Sequence, residues 1–245
     1  MRRAADVHAA MRALPIAPDL DTITGTRTAM ILAPHPDDES LGCGGLIAEA
    51  CARGRPPAVV IVSDGTGSHP LSRDYPPWRL RGLREAEARR AVAELGLPPA
   101  RIAFLGLRDT AVPRRGLGFE LAIDRLVRTI RRHDCGTIFA PWVHDPHGDH
   151  VATHLMAQRA AAESGATLFS YPVWGWTLAP GAMIDCPAIS GWRLDISAHM
   201  DAKARAIKAH ESQVSGIVED DPSGFRLSED VLSHFLGHTE VFLRQ

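Results

Sequence analysis

Cysteine is scarce in this chain of 245 residues, and the four that occur are scattered at Cys43, Cys51, Cys135 and Cys186. They form no C-x-x-C pair, which argues against a thiolate zinc site and against a disulfide-rich scaffold. Isolated cysteines are typical of proteins from reducing compartments, so we expect a cytoplasmic protein.

Other absences narrow the range of functions. The chain lacks any apolar run of about eighteen residues, which excludes a membrane-spanning helix. Its N-terminal segment is interrupted by His8, Arg12 and Pro15, so we expect no signal peptide. Basic residues are not in excess, because 27 Lys and Arg stand against 29 Asp and Glu, for a net charge of -2. We therefore expect no nucleic-acid partner, since binding to phosphates requires a positive surplus.

From Thr28 onward, short apolar runs alternate with longer amphipathic stretches. The apolar runs predict strands over residues 28–33, 58–62, 102–105, 137–140 and 167–171. The other stretches predict helices that end near residue 53 or span 80–95, 117–133, 151–163 and 200–211. This alternation predicts an α/β fold with a Rossmann-like, mostly parallel sheet that carries helices on both faces.

Two of the predicted strands end in clusters of histidine and carboxylate. Residues 34–39 read PHPDDE, and residues 141–150 read PWVHDPHGDH. Each cluster alone could be a polar turn that caps a helix. Together they favour a metal site, because functional groups collect at the carboxyl edge of such sheets. Imidazole and carboxylate without thiolate suit a catalytic zinc with two histidines and one carboxylate. The residues alone do not decide whether Asp37 or Asp38 binds the metal.

The two clusters, together with Asp64-Gly65, resemble the PIG-L/LmbE family of zinc-dependent N-deacetylases. Supporting matches are the R-x-x-E helix at Arg84 and Glu87, the F-L-G-x-x-D segment at 104–109, and the K…H-x-S-Q element at Lys203, His210, Ser212 and Gln213. The likeness covers about residues 28–215. We therefore predict a single PIG-L/LmbE-like deacetylase domain over residues 28–245, preceded by an N-terminal arm over residues 1–27 with a short amphipathic helix.

The resemblance implies an amidohydrolase that acts on linear amides. It would remove an N-acetyl or other N-acyl group from a small N-acetylglucosamine-type conjugate by attack of zinc-bound water, with one Zn²⁺ per chain. Fe²⁺ would suit the same ligands. The residues that match functional positions are the metal ligands His35, Asp38 and His150, the general base Asp37, His147 as oxyanion stabiliser or acid, and the substrate contacts Arg84 and Asp109. The oligomeric state stays open, a homo-oligomer included.

Two neighbours of the predicted ligands have roles that the sequence leaves open. His154 follows His150 by one helical turn, so the two could share a metal. We expect His150 alone to bind it, with His154 in support or at the surface. We also expect Asp145 or Asp149 to orient His147 or His150, because ligating histidines usually donate their second N–H. The family can carry a tyrosine at the position of Asp145, and here the chain departs from it.

Alternative functions are weaker. The glycines of residues 42–45 lie between a strand and a helix, as in a nucleotide-binding loop, but Ile47 occupies the sixth position of G-x-G-x-x-G. We expect these glycines to allow close packing of the helix on the sheet. A non-catalytic metal protein would not need Asp37. A deacylase of the same fold that acts on a glycopeptide, lipid or small amide is the remaining alternative.

Overall fold

The computed structural model describes residues 1–244. Its strands are β1 (Arg2–Arg3), β2 (Thr28–Ala33), β3 (Ala58–Ser63), β4 (Ile102–Leu107), β5 (Cys135–Pro141), β6 (Thr167–Tyr171), β7 (Met183–Ile184), β8 (Gly191–Asp195) and β9 (Thr239–Arg244). Its α-helices are α1 (Ala4–Arg12), α2 (Asp21–Thr24), α3 (Asp38–Ala52), α4 (Pro77–Glu94), α5 (Leu117–His133), α6 (Gly148–Ser164), α7 (Met200–Lys208), α8 (Glu211–Val214) and α9 (Glu229–Ser233). None of these helices is both long enough and apolar enough to cross a membrane.

A mixed sheet organises the fold, with the strand order β4-β3-β2-β5-β6-β9-β8. The first five strands in this order are parallel, and β9 pairs antiparallel with both β6 and β8. The chain leaves β2 toward β3 on one side and later returns to β5 on the other. The boundary between β2 and β5 is therefore a topological switch point, where α/β sheets usually bind their ligands. The predicted α/β fold is confirmed.

The sheet is covered on both faces, as predicted. Within β2, Ala29, Ile31 and Ala33 face one apolar cluster, while Met30 and Leu32 face the other. Helices α3, α4 and α7 pack together on the first side, and α5 and α6 on the second. A strand that is buried on both faces reads as a continuous apolar run, which explains why the parallel strands were visible in the sequence.

The predicted strand and helix positions are confirmed to within a few residues. The sequence pattern predicts neither β8 nor β9, and it also lacks the short elements β1, β7, α2, α8 and α9. In β9 the charged Glu240 is buried at 4% exposure, which interrupts the apolar pattern. Its carboxylate accepts hydrogen bonds from Lys203 Nζ at 2.6 Å and from the backbone N–H of Gly45 at 2.7 Å. The charge is therefore paired in the interior with groups that are distant in sequence.

The N-terminal arm is packed against the rest of the fold. Strand β1 pairs with β7, and Ala4, Val7 and Met11 of α1 are buried in a cluster that includes Trp142. The division of the chain at residue 27 stays a prediction.

The glycines of α3 permit a close approach of neighbouring elements, as expected. A Cβ added at Gly42 would lie 2.2 Å from Tyr171 Cδ2, and one at Gly45 would lie 2.3 Å from Ile196 Cγ2. Tyr171 cannot easily retreat, because its ring is fully buried and its hydroxyl donates to the carbonyl of Leu32 at 2.8 Å.

We predict that Gly42→Ala lowers the free energy of unfolding by about 1–3 kcal/mol, because the added methyl group overpacks the contact with Tyr171. The matched control is Gly82→Ala in α4, where an added Cβ meets nothing within 4 Å. That control should raise the free energy of unfolding by about 0.5–1 kcal/mol. Urea denaturation of both variants measures the difference, and equal effects of the same sign would contradict the packing argument.

Candidate metal centre and active site

The turn that follows β2 places the first cluster and is strained at Asp37. This residue precedes α3 with φ 151° and ψ -32°, a conformation that residues other than glycine rarely adopt. Its backbone N–H donates to Glu39 Oε2 at 3.0 Å, and its side-chain Oδ2 accepts from Arg84 Nη2 at 3.1 Å. These two buried partners hold the strained residue in place.

The carboxylate of Asp38 lies between the two predicted histidine ligands. Its Oδ2 is 3.1 Å from His35 Nδ1 and 3.4 Å from His150 Nε2, and it also accepts the backbone N–H of His35 at 3.0 Å. Burial acts to raise the pKa of Asp38, but the two imidazoles outweigh it and hold that pKa well below its usual range. The carboxylate is therefore a permanent anion.

His150 is oriented by Asp145. The imidazole Nδ1 is 2.9 Å from Asp145 Oδ2, and Asp145 also accepts three backbone N–H groups from residues 173–175. Burial acts to lower the pKa of His150, but the carboxylates of Asp38 and Asp145 raise it to about 9. The structure thus selects Asp145, of the two expected aspartates, as the partner of His150.

The opposite nitrogen of His150 fits a metal ion. His150 Nε2 is buried and makes no hydrogen bond to any group in residues 1–244. It faces the anionic Asp38, which also contacts His35, so two imidazoles and one carboxylate converge. This is the ligand chemistry that a catalytic zinc requires, and a cation would satisfy the orphaned nitrogen.

Metal-ligating atoms also cluster in two other sets of three, and neither set contains Asp38. One atom from each residue lies within 4.8 Å of the others in His35, His147 and His150, and again in His35, Asp109 and Asp149. In the second set Asp149 accepts from the backbone N–H of Thr110 at 2.7 Å, and Asp109 accepts from that of Gly67 at 2.8 Å. These backbone hydrogen bonds fix the positions of the two carboxylates, which fits a role in orienting His35.

His35 therefore has acidic partners on both ring nitrogens. Its Nε2 lies 3.2 Å from Asp109 Oδ1 and 3.3 Å from Asp149 Oδ2. Burial acts to lower the pKa of His35, but the three neighbouring carboxylates of Asp109, Asp149 and Asp38 raise it well above its usual value. Any metal that binds this ring has to displace a proton.

Asp37 differs from its neighbour Asp38 in its ionisation. Burial raises the pKa of Asp37 to about 7, although the guanidinium of Arg84 acts to lower it. A carboxyl group whose pKa is close to neutrality can both accept and return a proton.

His147 caps the N-terminus of α6 and faces the same site. Its Nδ1 accepts the backbone N–H of Asp149 at 3.2 Å, so the neutral ring carries its proton on Nε2. Burial lowers the pKa of His147, and the rings of His35 and His150 lower it further. The neutral ring with a free Nε2–H donor therefore predominates at neutral pH.

A cavity of about 220 Å³ opens over these groups. It is lined by His35, Asp37, Asp38, Gly67, Ser68, Arg84, Asp109, Thr110, His147, Trp174, Gln213 and Phe225. Trp174 and Phe225 meet edge to face at its wall, with ring centroids 5.6 Å apart. All predicted site residues except His150 line this cavity, and His150 lies directly behind Asp38.

Two side chains are more deeply buried than expected. His154 is fully buried, with Nδ1 3.0 Å from the carbonyl of Pro141. Of its two expected places, in support of His150 or at the surface, the second is therefore wrong. Arg84, expected to bind substrate, lines the cavity but is 2% exposed, and its guanidinium donates to Asp37 and to two backbone carbonyls. Its contact with substrate stays a prediction.

Two buried residues of the site, Glu39 and His210, have no role assigned from the sequence. Glu39 holds the backbone of Asp37, and its carboxylate lies 3.0 Å from His210 Nε2. Both belong to the quoted motifs, which is the signal that could have identified them.

Comparison with known proteins places this geometry in a family context. Residues 30–161 match the family described as PIG-L, GlcNAc-PI de-N-acetylase. The 1D-myo-inositol 2-acetamido-2-deoxy-alpha-D-glucopyranoside deacetylase of Mycolicibacterium smegmatis is 29% identical over 264 residues, covering 85% of this chain and 87% of the relative.

Solved structures share the fold. The N,N'-diacetylchitobiose deacetylase of Pyrococcus horikoshii superposes with a TM-score of 0.62 at 20% identity, covering 88% of this chain and 82% of that one. The 4-carboxy-2-hydroxymuconate hydratase of Pseudomonas putida gives a TM-score of 0.55 at 24% identity, with coverages of 75% and 78%. Since a hydratase also has this fold, the fold alone does not decide the reaction.

We predict that Asp145→Asn weakens zinc binding by about 10- to 100-fold, because an amide cannot accept every N–H that the carboxylate accepts and so releases His150. Competition with a chromophoric chelator measures the affinity. Asp185→Asn, whose side chain is 89% exposed, is the matched control and should bind zinc as the wild type does. Unchanged affinity in a folded Asp145→Asn protein would contradict the orienting role.

Proposed function

Because the chain belongs to the GlcNAc-PI de-N-acetylase (PIG-L) family, we propose that it hydrolyses the acetamide of a small N-acetylglucosamine conjugate in a zinc-dependent reaction. The observation that carries the proposal is the pair of adjacent aspartates, one a permanent anion between two imidazoles and the other titrating near neutrality. A GlcNAc–inositol conjugate is the first candidate substrate, since it is the one named for the relatives. We place the enzyme in the cytoplasm because its cysteines are isolated.

We assign one zinc ion per chain to His35, Asp38 and His150. A zinc ion held there would supply Lewis acidity, which polarises a carbonyl and lowers the pKa of water from 15.7 to roughly 7. The catalytic domain would span residues 28–245, with residues 1–27 as its arm.

Asp37 is the general base in this proposal. Arg84 binds Oδ2 of Asp37, so we assign the other oxygen, Oδ1, to accept the proton of the attacking water. Since burial raises the pKa of Asp37 to about 7, the protonated form is stable enough to return that proton to the leaving amine.

His147 stabilises the developing negative charge on the carbonyl oxygen. Its Nε2–H is the free donor, because Nδ1 already accepts a backbone hydrogen bond. The lowered pKa of His147 favours this donor role over that of a charged acid. Removing one such stabiliser typically costs about 100- to 1,000-fold in rate.

Substrate recognition is assigned to the cavity wall. Asp109 can accept hydroxyl hydrogens of a sugar, and Trp174 can pack against a sugar face. A cavity of about 220 Å³ suits one small part of the substrate, such as an acylated amino sugar, at the reacting position. The alternative, a deacylase of a glycopeptide or lipid amide, would place the larger part of its substrate outside this cavity.

We predict that the zinc-loaded protein releases free amine and acetate in equal amounts from a GlcNAc–inositol conjugate. N,N'-diacetylchitobiose and an N-acylated glycopeptide test the alternatives in the same assay. Asp37→Asn should keep its zinc and lose about 100- to 10,000-fold in kcat. Loss of zinc from this variant would make Asp37 a ligand, and release of amine by no substrate would contradict the proposed activity.

The pH dependence of kcat/KM distinguishes two roles of Arg84, which are lowering the pKa of Asp37 and binding substrate. Asp37 must be ionised to act as base, so the rate rises with pH through its pKa. Arg84→Gln removes a positive charge beside this carboxylate, which raises its pKa and moves the acidic limb of kcat/KM to higher pH by about one unit. Arg81→Gln, an exposed change in the same helix, is the control. If Arg84→Gln raises KM without moving the limb, Arg84 serves only to bind substrate.

A further inference from the structure

The N-terminal helix α1 carries a buried histidine that packs against the two residues that follow the cavity residue Trp174. His8 is 8% exposed, on the side of the helix that packs into the protein with Val7 and Met11. Its ring lies 5.6 Å from that of Trp176, and its Nε2 is 2.7 Å from the carbonyl oxygen of Gly175. A carbonyl can only accept, so His8 donates this hydrogen bond and its Nε2 is protonated.

Gly175 continues the connection toward the site. Its backbone N–H donates to Asp145 Oδ1 at 2.7 Å. A Cβ at this position would lie 2.7 Å from Trp142 and 2.8 Å from the same carboxylate oxygen, so only glycine allows the backbone to come this close. The position of Gly175 is therefore fixed from both sides, by His8 at its carbonyl and by Asp145 at its N–H.

Asp145 completes the connection, because its Oδ2 accepts from His150 Nδ1 at 2.9 Å. Three buried hydrogen bonds thus run from His8 through Gly175 and Asp145 to His150. Any shift of the 173–175 turn alters the cage of N–H groups that holds Asp145, and so the direction of the His150 ring.

We propose that His8 is a positioning residue that sets the orientation of His150 through Gly175 and Asp145. This inference rests on the metal site of the proposed function. It assigns a role in the active centre to the N-terminal arm, which lies outside residues 30–161 that match the family. A merely structural His8 would only dock α1, and its loss would change stability without changing the affinity for metal.

The test compares the zinc affinity of full-length variants by chelator competition. His8→Phe keeps a ring against Trp176 but removes the donor, and it should weaken zinc binding by about 10-fold. His8→Gln places an amide N–H near the position of Nε2 and should bind zinc within about 3-fold of wild type. Val7→Ala loosens the packing of the same helix without touching the hydrogen bonds, and its zinc affinity should match that of wild type.

The outcomes are separable. If the wild type binds zinc and His8→Phe binds it equally tightly, this inference is overturned and the proposed function stands. If Val7→Ala weakens zinc binding as much as His8→Phe, docking of the helix is responsible and the inference is also wrong. A wild type without zinc affinity overturns the proposed metal site together with it. Should His8→Phe fail to fold, His8→Asn, whose side chain is too short to reach Gly175, replaces it in the same comparison.

Discussion

The buried carboxylate of Asp38 is the constraint on which the rest of the site depends. An anion without solvent is costly unless it is paired and hydrogen-bonded. Here the pairing comes from His35, which follows β2, and from His150, in the first turn of α6, which follows β5. Bringing them together requires β2 and β5 to be neighbours, as they are at the switch point of the sheet. The pairing of Asp38 with both histidines therefore depends on this strand order.

The adjacent aspartates Asp37 and Asp38 differ in ionisation although they carry the same side chain. Asp38 is stabilised as an anion by two imidazoles, whereas Asp37 is buried beside that anion and a single guanidinium, so its pKa rises to about 7. Two carboxyls with separated pKa values are the usual arrangement of a ligand or charge stabiliser next to a base. The rare backbone conformation of Asp37 occurs where two consecutive side chains, Asp37 and Asp38, line one cavity.

Much of this could be predicted from the sequence, because the information is local. Apolar runs reveal the parallel strands, and the two histidine clusters follow them directly. What could not be predicted depends on distant pairs. Glu240 interrupts the apolar pattern of β9, and its partners Lys203 and Gly45 lie elsewhere in the chain. His8 likewise contacts Gly175 across 167 positions. Arg84 also has a clear motif, but only the fold shows that its guanidinium is bound to Asp37.

The central claim is that the metal is bound by His35, Asp38 and His150. An anomalous difference map from a crystal of the zinc-loaded protein, recorded on both sides of the zinc absorption edge, tests it most directly. We expect one peak per chain between these three side chains, with His150 Nε2 and an oxygen of Asp38 at about 2.0–2.2 Å. A peak held instead by His35, Asp109 and Asp149 would contradict it.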